Sequence, residues 1–139
     1  HLSELPGVVP GSRIVFYGGL LLTLVGLVWQ RKHFSLLVAS WQTILAFVAF
    51  GYVLSPQFLL WLIPLGLCAA GEVGGGQRQG IWLAIFALVV LLTGLHFRYY
   101  WDYVNFQPGS AALVLLRNLG LVFLWGLGWL WLAKPIPAT

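Results

Sequence analysis

The sequence predicts an all-α fold: a polytopic bundle of about five transmembrane helices, the third short and kinked. Three observations predict it. Of the 139 residues, 60% are hydrophobic and 7% are charged, and the mean hydropathy is +0.93. So little polar surface cannot clothe a soluble domain. The apolar runs are continuous and do not alternate in ten-residue units, which argues against a transmembrane β-barrel. The charges also fall almost entirely in the gaps between the runs.

Other features narrow the class. Cys68 stands alone, so neither a disulfide framework nor a Cys-based metal site is expected. The net charge of +4 is dispersed and lacks the concentrated basic face that nucleic-acid binding needs. With no methionine and a histidine at position 1, residues 1–139 are expected to form one helical unit that is a piece of a longer protein or a processed product. His1 and Glu4 have metal-like spacing, but two donors do not make a site, and no metal or other cofactor is expected.

The first stretch, His1 to Ser12, carries Pro6, Gly7, Pro10 and Gly11 and reads as a loop. Ile14 to Trp29 is the first span. Gly18, Gly19 and Gly26 on it let a neighbouring helix approach closely. Gln30-Arg31-Lys32-His33 is a short basic loop, placed in the cytoplasm by the positive-inside rule. Phe34 to Leu54 is the second span. Gln42 near its middle needs a hydrogen-bond partner, because an unsatisfied amide in hydrocarbon is costly.

The third helix opens sharply. Ser55 suits an N-cap, and Pro56 suits the first helical position, where its missing N–H is not needed. From Pro56 to Ala70 the run is about 15 residues, or roughly 22 Å, against a hydrocarbon core of roughly 30 Å. Either the bilayer thins there, or the helix begins beneath one surface. In the second case its N-terminus, with unpaired N–H groups and partial positive charge, suits a phosphate. Pro64 should bend this helix. Gly71 to Gly80 reads as a flexible linker carrying Arg78 and lacks the elements of a phosphate-binding loop.

Ile81 to Phe97 is the fourth span. The segment from His96 to Ser110 is rich in Tyr and Trp and reads as an interface. Arg98 and Asp102 within it have helical spacing for an ion pair. Pro108-Gly109 should break it, with Ser110 capping the last span, Ala111 to Leu132. Trp125, Trp129 and Trp131 read as an aromatic belt. Arg31, Lys32, Arg78 and Lys134 then fall in the cytoplasm of a plasma-membrane protein. The N-terminus of the chain and the Ser55 turn fall outside.

Arg117 lies inside the fifth span, where an arginine costs roughly 2.5–3.5 kcal/mol at mid-helix on insertion scales. It pairs with Asp102 or snorkels outward, or it holds an anion. Guanidinium groups suit phosphate because their planar donors engage it in two places. His96 ends the fourth span, as an interface residue or as a group that orients a substrate hydroxyl. Gln57 either caps its own helix or reaches substrate.

Ser55-Pro56-Gln57-Phe58-Leu59-Leu60-Trp61-Leu62, followed by Pro64, resembles a segment near the C-terminus of GT-C integral-membrane glycosyltransferases. The similarity is to glycosyltransferase family 87, the polyprenol-phosphate-mannose-dependent mannosyltransferases, and it covers about a dozen residues. The resemblance implies transfer of a hexose, mannose first, from a polyprenol-phosphate donor to an extracytoplasmic acceptor. Ser55, Gln57, His96, Arg98 and Arg117 are then the candidates for the donor's lipid phosphate. Such enzymes use an acidic base in an external loop of the N-terminal half. Glu4, Glu72 and Asp102 do not match that position, so no catalytic residue is assigned here. The expected partners are membrane lipid, the lipid-linked donor and an N-terminal half of the same protein, without which this portion is inactive. The rival reading is a non-enzymatic membrane subunit or transporter fragment.

Overall fold

The computed structural model describes residues 8–51, 57–99, 105 and 107–132. These residues form five helices: α1 (Val8–Trp29), α2 (Leu36–Phe50), α3 (Gln57–Glu72), α4 (Gln77–Arg98) and α5 (Pro108–Trp131). No strand occurs among the described residues, so the all-α class holds. Most of α1, together with α4 and α5, is long and apolar enough to cross a membrane, whereas α2 and α3 are shorter apolar helices.

Several boundaries differ from expectation. α1 begins at Val8 and absorbs Pro10 and Gly11, which had read as loop. A proline in a first turn removes an N–H that has no helical partner there. α2 stops at Phe50 instead of running to Leu54, and Gly51 is already extended. Its start is capped by Ser35, whose Oγ accepts the Val38 N–H at 3.3 Å. The expected ten-residue linker shrinks to Val73–Gly76, because Gly71 and Glu72 end α3 and Gln77 starts α4. Gly74 (φ 91°) and Gly76 (φ 82°) take the left-handed region that this tight turn requires. Pro108-Gly109 opens α5 instead of breaking the chain before it, with Gln107 at the cap position. Ser110 is not the cap; its hydroxyl donates to the Gln107 carbonyl at 2.8 Å.

α2, α3, α4 and α5 pack in a square, each against two neighbours, and α1 lies outside against α2. The middle of the square is filled from α2 and α4: Trp41 meets Trp82 and Phe86 at centroid distances of 5.6 and 5.7 Å. Trp41 and Trp82 are fully buried. Close approach needs glycine here. A Cβ on Gly66 would stand 2.5 Å from the Phe86 ring, and one on Gly120 would stand 2.6 Å from Val89. Trp82 donates its indole N–H to the Gly66 carbonyl at 3.4 Å.

Two of the three glycines expected to dock α1 do so. Gly19 lies under the Phe50 ring and Gly26 under the Trp129 ring, while Gly18 faces open space. Trp125 ties α5 to α1 by donating to Thr23 Oγ1 at 3.1 Å, and Thr23 donates in turn to the Gly19 carbonyl. Trp125 and Trp129 therefore turn into the helix contacts instead of forming the expected belt. Gln42 finds its expected partner, donating to the Trp125 carbonyl at 3.2 Å.

Helix lengths set the rest. At one end, here the lower, the helices start level: Phe34 before α2 packs on Trp129 near the end of α5, and Val73–Gly76 joins α3 directly to α4. From that level α2 and α3 rise about 22–24 Å, while α4 and α5 rise about 33–36 Å. The end of α2 at Phe50 and the start of α3 at Gln57 thus lie roughly 10 Å below the tops of α4 and α5. The sequence predicted one short helix there; the fold has two.

Candidate functional site

Arg117 sits at that step. It lies two and a half turns into α5, about 14 Å below the helix start, which is the level at which α2 ends and α3 begins. It is 4% exposed. Its Nε and Nη2 donate to Asn118 Oδ1 at 3.1 and 2.8 Å. Side chains on a helix lean toward its N-terminus, so a side chain at this position leans toward the upper end. An arginine at this depth is tolerated only where polar groups meet it, and such residues mark functional positions in membrane helices.

α4 packs along α5 and contributes His96, 7% exposed, which feels the charge of Arg117. The His96 ring also lies 5.6 Å from that of Phe97. His96 and Arg117 are therefore brought together. Arg98, two residues on, is exposed and belongs to the surface at the top of α4. Gln57 is the first residue of α3, and its side chain lies outside the described residues, as do Ser55, Asp102, Glu4, His1 and Lys134. What the structure gives at this point is the level of the α3 N-terminus. Its partial positive charge stands at the height of Arg117, across the square.

Above the step lies a more polar hollow of about 440 Å³, lined among the described residues by Tyr99, Gln107, Gly109, Ser110 and Leu113. Tyr99 closes α4 and Gln107 caps α5, so the hollow lies at the upper ends of these two helices. Sequence reasoning missed this hollow and also missed Asn118. Asn118 left a signal: a second polar residue beside Arg117 in an otherwise apolar run has a reason to be there. Of the acids, Glu72 ends α3 at the lower end, far from the step.

Comparison with family models, with curated proteins and with solved structures finds no match for this chain.

Proposed function

We propose that this chain is the membrane portion of a glycosyltransferase that takes a hexose, most simply mannose, from a polyprenol-phosphate donor. The observation that carries the reading is Arg117: a buried arginine in a spanning helix, at the level where two of four packed helices stop. That position suits a site open to an anionic headgroup from one side of a bilayer. The Ser55-to-Pro64 resemblance gives the anion its class, a lipid-linked sugar phosphate. In this reading the step faces the extracytoplasmic side of the plasma membrane.

The chemistry would be displacement at the anomeric carbon. An acceptor hydroxyl forms the new C–O bond, and the bond to the phosphate oxygen breaks with its electron pair. Polyprenyl phosphate leaves, its growing charge met by Arg117 and the α3 N-terminus. His96 stands where it could orient a sugar hydroxyl. The acceptor's proton goes to a base that this reading locates outside the chain's own residues, in the other half of the enzyme.

The test is transfer from polyprenyl phosphate mannose by the whole protein in membranes, with folded protein measured in parallel. A charged hydrogen bond is worth about 1.5–3 kcal/mol, so Arg117→Ala should cut donor use by about 10- to 100-fold. Arg117→Lys should keep part of it, since it keeps the charge but loses the fork. Equal loss of transfer and of folded protein would make Arg117 structural and overturn the proposal.

A further inference from the structure

Trp125 and Trp129 turn inward, but other aromatic side chains form an outward row. Tyr17 and Phe16 of α1, Phe47 of α2, and Phe58 and Trp61 of α3 touch in that order, with successive ring centroids 5.3, 5.5, 5.4 and 5.6 Å apart. Tyr17, Phe47 and Trp61 are 64%, 40% and 54% exposed. The five rings stand about 16–21 Å above the lower ends of their helices, just beneath the height at which α2 stops and α3 starts. At that height α4 and α5 expose aliphatic side chains instead, Leu88, Leu91 and Leu119. The exposed aromatic of α4, Tyr99, comes only at its upper end, about 33 Å above Gln77. We propose that the upper headgroup layer of the bilayer dips on the α1–α2–α3 side down to this aromatic row. The hydrocarbon there is then about 20 Å thick, against roughly 30 Å beside α4 and α5. The partner is the phospholipid surface itself.

Three features of this face point to headgroups. Tyr and Trp settle at the membrane–water boundary because each joins an apolar ring to a polar tip. Here a tyrosine and a tryptophan end the row, where hydrocarbon would favour the leucines seen opposite. The lower boundary on the same helix is marked in the same way. Trp29 is 85% exposed and is followed by exposed Arg31 and Lys32, about 18 Å below Tyr17. Exposed Arg13 stands one turn above Tyr17, where a charge clears the interface. The helix ends supply the third feature. The last carbonyls of α2 and the first N–H groups of α3 lack helical partners, and such groups are costly in hydrocarbon. Headgroups and their water provide partners at that height. The dip brings headgroups to the level of Arg117 and of the α3 N-terminus, but it does not rest on reading Arg117 as a phosphate site.

The experiment attaches a nitroxide to one cysteine at a time in the full chain, with Cys68→Ser, in phosphatidylcholine vesicles. Depth is read from collisions with oxygen and with a water-soluble nickel chelate. Gly18→Cys and Val15→Cys on α1 lie about 16 and 21 Å above the lower end, and Leu88→Cys and Leu91→Cys on α4 match them in height. All four positions are exposed, so the labels displace no packed neighbour. The α1 labels should lie about 10 Å nearer the upper surface than their α4 partners. A label at Leu36→Cys, exposed at the start of α2, should lie among the lower headgroups. Equal depth within each matched pair would mean a flat bilayer and overturn the proposal. Shallow α1 labels with the Leu36→Cys label far out in water would mean a tilted bundle, which overturns it too. If neither collision partner reaches the α1 labels, protein covers the row, as a second copy of the chain would, and the proposal fails. Because no label touches Arg117, each of these failures leaves the phosphate site to its own test.

Discussion

The lower and upper halves of the four-helix square are built on opposite principles. In the lower half four helices surround Trp41, Trp82 and Phe86, and glycines let neighbouring side chains pack directly on the helix backbones. In the upper half α4 and α5 continue past the tops of α2 and α3 and carry the buried polar side chains His96, Ser110 and Arg117. Packing is what holds helices together in lipid, because lipid tails are as apolar as the helices themselves. The comparison therefore separates a half that supplies stability from a half that is free to carry chemistry.

The largest effect that would expose this division is at Trp41. Replacing a fully buried aromatic with alanine costs about 3–5 kcal/mol, and three rings meet here. Trp41→Ala should lower unfolding free energy by that amount in a reversible detergent titration. Tyr99→Ala, exposed at the upper end, should stay within about 0.5 kcal/mol. Similar losses at both positions would show that the upper end is as much a structural core as the lower.

A glycine pair tests the same contrast more finely. Gly66→Ala puts a methyl group against the Phe86 ring, and overpacking of this kind costs about 1–3 kcal/mol. Gly94→Ala, on the upper part of α4 with nothing near its Cβ, should stabilise by up to about 1 kcal/mol through helix propensity. A loss at Gly94 would mean that something packs there, and the upper half would have to be redrawn as closed.

Hydropathy made the class and the number of helices legible, and a strong start signal gave the length of the third. What it could not give were helix ends whose flanking residues are also apolar. The sequence carries the second span past Gly51, yet α2 stops at Phe50 and Gly51 is extended; hydropathy measures whether a residue tolerates lipid, not whether its backbone is helical. Pro10 suits a loop and Pro108 a break, yet both lie in first turns, where the missing N–H costs nothing. At the site, the charge inside an apolar run made Arg117 visible. Its closeness to His96 was not, because a contact between antiparallel helices depends on register, which turn lengths and glycine notches set. Trp125 and Trp129 show the same gap: an aromatic near a helix end looks alike in sequence whether it faces headgroups or a neighbour.

The smallest expected effect concerns the buried amide of the lower half. Gln42 is fully buried, donates to the Trp125 carbonyl, and has an Oε1 without a hydrogen-bond partner among the described residues. Interhelical side-chain hydrogen bonds in membrane proteins average about 0.6 kcal/mol, and the unsatisfied oxygen offsets part of that gain. Gln42→Leu should therefore shift stability by less than about 1 kcal/mol in the titration used for Trp41. The bond then sets register between α2 and α5 more than it sets stability, with the amide seated on Gly128, where even a methyl group would collide with it. A loss above about 2 kcal/mol would show that Oε1 is engaged after all, through a bridging water, and that the dry half holds a polar site of its own.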